Sequence, residues 1–147
     1  MVTLSQQNGL WGNLTLGKTP YKVSKYGCLI TSLSMLTDYF GDYKSPKYFA
    51  KYGTFTKAGM FDWNCLPNIS KLKLLTRYNF RNDIMIKDAL REQAKACILQ
   101  VNKNHFVVAL GTSLLGGYRI ADPWDAKKKT TRAYNNNITG VRVITTK

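Results

Sequence analysis

Apolar residues at Leu29, Leu33, Leu36 and Phe40 recur at helical spacing through the segment that begins at Cys28. Gly41 stands where a left-handed cap would end that helix. Ser45 and Pro46 are a capping residue followed by a first-turn proline, and they predict a second helix running to Lys51. Leu66 to Thr76 and Ile86 to Ala96 read as two further helices. Beyond Ala96 the pattern changes. Cys97-Ile-Leu-Gln-Val101, His105-Phe-Val-Val-Ala-Leu-Gly111, Gly117-Tyr-Arg-Ile-Ala121 and Val141-Arg-Val-Ile-Thr145 are short and rich in branched or aromatic residues. Gly, Asn, Ser or Pro bound each of them, which is the signature of strands. Helices first and a run of neighbouring strands afterwards predict an α+β domain. Its N-terminal helices would pack on a C-terminal antiparallel sheet, leaving two halves to face each other across a cleft. With 147 residues and no internal repeat, the chain is expected to be a single domain over 1–147.

Composition narrows the classes. Hydrophobic residues make up 44% of the chain, enough for a real core. No stretch approaches the roughly 20 apolar residues of a membrane span. The polar start, Met1-Val-Thr-Leu-Ser-Gln-Gln-Asn8, lacks the apolar centre of a secretory signal. The expected picture is a domain made in the cytoplasm, which something else must release or carry if it works outside a cell. Lys and Arg number 22 against 8 Asp and Glu, a formal charge of +14, so an anionic partner is expected. Nucleic acid, acidic membrane and anionic wall polymers all qualify by charge. Nucleic acid ranks low among them, because no recognised nucleic-acid module appears.

Cys28, Cys65 and Cys97 are an odd number without close pairing, and His105 is the sole histidine. That combination argues against a zinc site of ordinary spacing and against a disulfide framework, and no cofactor is expected. At least one thiol is therefore free. Thiol nucleophiles react as thiolates, favoured by a helix N-terminus and by a neighbouring imidazole. Cys28 has the first by position, with Gly27 before it to permit a tight turn; a buried structural cysteine is the plainer reading of the same residue. His105 supplies the second if the fold brings it close, since it opens a strand just after the turn at Asn102 to Asn104. Asp122 ends the strand that should pair with it, so an antiparallel hairpin would set its carboxylate beside the imidazole. Cys65 and Cys97 read as structural.

The segments Gln6-Gln-Asn-Gly-Leu-Trp11, Leu16-Gly17 and Tyr26-Gly-Cys-Leu-Ile-Thr-Ser-Leu-Ser-Met35 resemble the start of C39-like cysteine peptidases of the papain-like group. His105-Phe-Val-Val-Ala-Leu-Gly111, Gly117-Tyr-Arg-Ile120 and Ala121-Asp-Pro-Trp124 are similar to the rest of that pattern, in the same order. The chain departs from it at Asn8-Gly9, where the family often has Asp-Pro, and matches only loosely over Gly53 to Asn64. The resemblance implies a papain-like fold, a Cys28, His105, Asp122 triad and an oxyanion donor at Gln6, with Gln7 as the adjacent alternative. It implies acyl transfer to water by way of an acyl-enzyme. Together with the basic charge, it leads to peptidoglycan as the expected substrate. A peptidase of proteins or precursor leaders, and a catalytically silent basic binding module, are the alternatives.

Overall fold

The computed structural model describes residues 1–146, and they form an α+β architecture around one six-stranded antiparallel sheet. Helices α1 (Val23–Tyr26), α2 (Cys28–Tyr39) and α3 (Pro46–Tyr52) come first. Then follow α4 (Leu66–Ile69), β1 (Leu72–Tyr78), α5 (Asp83–Arg91), β2 (Lys95–Val101), β3 (His105–Thr112), β4 (Tyr118–Asp122), β5 (Lys127–Thr130) and β6 (Ile138–Thr146). The strand order across the sheet is β1-β6-β2-β3-β4-β5. No helix among the described residues is long and apolar enough to cross a membrane.

Local chemistry sets the helix ends. Gly41 takes φ +82 just beyond α2, a conformation open to glycine at little cost. Ser45 caps α3 by accepting the Tyr48 amide, and Pro46 occupies its first turn.

Two of the expected helices are corrected. Leu66 to Thr76 is not one helix: α4 stops at Ile69, and the next seven-residue element is β1. Ser70 makes the break, with extended backbone and a side chain that accepts the Leu72 amide. From there Leu72 is buried, Lys73 exposed and Leu74 half-buried, the alternation of a strand with one face on the core. The helix expected over Ile86 to Ala96 runs from Asp83 to Arg91 instead. Asn82 caps it through the Met85 amide, and Lys95 and Ala96 already belong to β2. A sixth strand, β5, is built from the lysine run Lys127–Lys129 and lies at a sheet edge. Lysines there blunt the unpaired backbone against further strand pairing.

The sheet is covered on both faces. On one, Leu33 and Leu36 of α2, Phe49 of α3 and Leu66 of α4 pack on Ile98, Val108 and Ile144. On the other, Ile86 and Ala89 of α5 meet Leu99, Val107, Ile120, Val141 and Val143. Helix α2 rests along β3, so its first residue and the first residue of β3 come to the same end of the sheet.

Candidate active site

Cys28 is the first residue of the twelve-residue helix α2 and is 8% exposed. The chain enters from α1 through Gly27, whose φ of −91 is ordinary. Glycine is needed there for space rather than for backbone freedom. A Cβ would stand 2.6 Å from the Val23 carbonyl oxygen and 2.7 Å from Val23 Cγ1. The oxygen belongs to backbone and cannot swing aside, so Gly27→Ala should lower stability by about 1–3 kcal/mol. Urea denaturation checks this expectation: an unchanged midpoint would mean that the α1–α2 joint is loose.

His105 opens β3 beside that helix, and Ser32 Oγ of α2 donates to the Phe106 carbonyl at 3.4 Å. The turn before it is held from outside. Asn102 and Lys103 both adopt positive φ, and their amides donate to the Asn137 carbonyl and to Thr139 Oγ1, each at 3.0 Å. Asp122 closes β4 and is fully buried. The β3–β4 ladder sets Val108 opposite Ala121, bringing the β3 start alongside the β4 end. His105 Nε2 and Asp122 Oδ1 are 2.8 Å apart. The opposite edge of the ring, carrying Nδ1, is the one left for Cys28, which shares a hydrogen bond with the imidazole.

Every acceptor position of the Asp122 carboxylate is used. Oδ1 also accepts the Trp124 amide at 2.9 Å, while Oδ2 accepts from Lys129 Nζ at 2.9 Å and from the Tyr134 hydroxyl. Burial alone would favour the neutral acid. The donors His105, Tyr134, Trp124 and Lys129 outweigh it and hold the carboxyl well below the usual carboxylate range. Burial likewise works against a charged His105. The hydrogen bonds to Asp122 and Cys28, with the negative charge of each, overcome it and push the ring up to about 9. The imidazole therefore carries a proton at neutral pH. Its contribution to stability is complete below the ordinary value of 6.5 and is lost as pH rises through about 9. Activity that needs the protonated ring should show an alkaline limb near pH 9, read from kcat/KM across a pH series. A limb near pH 6.5 would contradict the pairing.

Tyr134 and Lys129 escaped the sequence reading. Tyr134 lies 5.4 Å from the His105 ring, centroid to centroid. Lys129 came from a run that looked like a solvated charge cluster, yet it binds both Asp122 and Asp125.

Gln6 and Gln7 separate by burial. Gln6 is 1% exposed and Gln7 is on the surface. The Gln6 amide N–H bonds the Pro123 carbonyl, next to Asp122, at 2.7 Å. Its side-chain Nε2 donates to the Ser24 carbonyl at 3.1 Å and reaches the Val23 carbonyl at 3.5 Å, while Oε1 is buried without a partner. Gln6 thus bridges the turn after Asp122 and the helix just before Cys28.

The thiol opens into a cleft of about 770 Å³ whose walls include Tyr26, Trp63, Phe106, Arg77 and Arg142. The loosely matching stretch Gly53 to Asn64 supplies much of one wall, through Phe55, Met60, Phe61 and Trp63. Cys65 is half-buried and accepts the Thr54 amide; Cys97 is buried in β2, and desolvation pushes its thiol up to about 12. No group of three or more His, Cys, Asp or Glu among the described residues converges to hold a metal ion.

Residues 18–146 match the Peptidase C39 family, an interval that includes Cys28, His105 and Asp122 and begins after Gln6. The chain belongs to the peptidase C39 family. Membership makes it a cysteine peptidase and accords with the papain-like arrangement of α2 against the sheet. No curated protein matches the chain.

Proposed function

We propose that this C39 peptidase hydrolyses peptide bonds in bacterial peptidoglycan, with Cys28 as nucleophile, His105 as proton carrier and Asp122 as orienter. The observation that carries the catalytic reading is the bond between His105 Nε2 and the saturated, buried Asp122 carboxylate. It fixes the ring with its other edge toward a thiol at a helix start.

In this reading His105 already holds the proton of the Cys28 thiol, and the sulfur attacks the scissile carbonyl carbon as the thiolate. The carbonyl π electrons move onto oxygen, forming the tetrahedral oxyanion. Two donors would meet that charge: the Cys28 backbone N–H, free as one of the first amides of a helix, and the Gln6 amide. Gln6 Nε2 here directs its N–H groups at the Ser24 and Val23 carbonyls, so one of them would have to turn toward the oxyanion when substrate binds. Collapse of the oxyanion breaks the C–N bond, and His105 gives its proton to the departing amine. Water then attacks the thioester and passes one proton to His105; collapse breaks the C–S bond, releases the acid and restores the Cys28 thiolate beside the protonated ring. Asp122 stays ionised throughout and holds the ring.

The charge supports a wall substrate. A formal +14 favours an anionic matrix, and among the described residues no Asp or Glu lines the cleft. Wall binding should weaken as salt rises, because exposed charges are screened within about 8 Å at physiological ionic strength. Sedimentation with insoluble wall across a salt series reads this directly, and binding indifferent to salt would remove the electrostatic part of the account.

The test of function is mass spectrometry of purified peptidoglycan after digestion. Wild type should yield fragments with a new amine and a new carboxylate at one peptide linkage, and Cys28→Ala should yield none. An unchanged fragment pattern alongside cleavage of an unstructured protein such as casein would reassign the substrate to proteins.

A further inference from the structure

Arg142 stands in β6 on the same sheet face as Ile98 and Ile144, inside the cleft that Cys28 opens, and is 4% exposed. Its guanidinium has only neutral acceptors. Nη1 donates to the Tyr78 carbonyl at 3.0 Å and to the Val141 carbonyl at 3.2 Å. Nη2 reaches Asn79 Oδ1 at 3.5 Å, and Nε has no partner. The least satisfied edge of the fork is thus Nε with Nη2, the pair that meets a carboxylate side-on.

The surroundings add positive charge rather than neutralise it. Arg77 of β1 is directly opposite Arg142 in the ladder, and both side chains line the cleft. Like charges facing across a strand pair are destabilising, and a buried cation without a counter-ion is costly. Lys25, Arg81 and Lys103 also line the cleft, with no Asp or Glu among its lining residues. Arg81 is engaged by Asp83 at 3.0 Å. Burial and the charge of Arg77 both draw Arg142 below its usual range, the direction expected of a site short of an anion.

The position is also built. The guanidinium carbon lies 5.6 Å from the centroid of the Phe106 ring, next in sequence to His105. Gly140 leaves room for it: a Cβ there would stand 3.0 Å from Arg142 Nη1 and 2.9 Å from Gln100 Oε1.

Resting on the cysteine-peptidase reading of Cys28, we propose that Arg142, with Arg77 beside it, is a carboxylate-recognising subsite that selects peptides bearing an acidic group near the scissile bond. The carboxylate belongs to an acidic side chain or to a free chain terminus.

The test measures binding separately from cleavage. Cys28→Ala protein is titrated against dye-labelled, C-terminally amidated peptide pools that differ only by Glu or Gln at one central position, and anisotropy is read. A third pool keeps Gln and carries a free α-carboxylate, which distinguishes the two sources. One carboxylate pool should bind about tenfold tighter than the amidated Gln pool, the scale of one charge-assisted contact. Arg142→Met should remove that preference. Arg77→Met, at an exposed strand position, should weaken it in case the buried substitution compromises folding. Lys128→Met removes the same charge outside this cleft and should leave the preference intact. Equal binding of all pools, binding of none, or a loss in Lys128→Met equal to that in Arg142→Met would overturn the subsite. In active protein, Arg142→Met should lower kcat/KM for the preferred carboxylate peptide and spare its neutral counterpart. Absence of cleavage in wild type with the binding preference intact would overturn the peptidase reading and leave the subsite standing.

Discussion

Cys28→Ala is expected to reduce hydrolysis by about five orders of magnitude or more, because no second nucleophile replaces the thiol. Its cost to folding should be small. The side chain borders an open cleft and contributes one sulfur to the packing, so a stability change within about 1 kcal/mol is expected. The substitution also removes one of the two hydrogen-bond partners that raise His105. The imidazole should then titrate below about 9, which histidine NMR resonances followed through a pH series would read. A large fall in melting temperature would show that Cys28 is a packing residue first.

Asp122→Ala should lower turnover by about three orders of magnitude, less than Cys28→Ala, because an orienter is the more dispensable member of such a unit. Here, unlike at Cys28, stability should fall as well. The carboxylate is fully buried and accepts from His105, Trp124, Lys129 and Tyr134, all of which lose their acceptor together. Leaving such donors unmatched costs about 3 kcal/mol, at the low end of broken buried pairs because Lys129 retains some solvent. In wild type this contribution is present above the ordinary carboxyl range and is lost as pH falls through the depressed value of Asp122. Asp122→Asn keeps an acceptor for the Trp124 amide, so it should recover part of the stability while activity stays low. Equal stability of Asp122→Ala and wild type in urea would mean that this cluster is loosely held.

The meeting of Cys28, His105 and Asp122 was legible because each of them marks an element end. Cys28 begins a helix of clear period, and His105 and Asp122 bound two strands short enough to be recognised from branched residues and turn signals. Their pairing needed only the antiparallel hairpin. Leu66 to Thr76 misled because Leu66, Ile69 and the leucines after Lys71 also fit a helical period. The deciding residue was Ser70, whose hydroxyl competes for backbone partners and ends α4. Asn82 was the overlooked cap that moves α5 three residues earlier.

Lys127–Lys129 offered charge without an apolar pattern, so a strand was not visible in it. Read as the return strand of a hairpin after Asp122-Pro-Trp-Asp-Ala126, its alternation would have put Lys129 on the Asp122 side, as the ladder does with Ile120 opposite Lys129. Tyr134 and Arg142 gave no comparable signal. Both act through contacts between segments far apart in sequence, Tyr134 with β4 and Arg142 with β1 and β3.

The most direct test of the central claim is peptide mapping after limiting iodoacetamide, with hydrolysis measured on the same samples. Cys28 should carry the label ahead of half-buried Cys65 and buried Cys97, and activity should fall in proportion to its occupancy. Activity that survives complete alkylation of Cys28, or that disappears with labelling of Cys65 alone, would contradict the assignment of Cys28 as nucleophile.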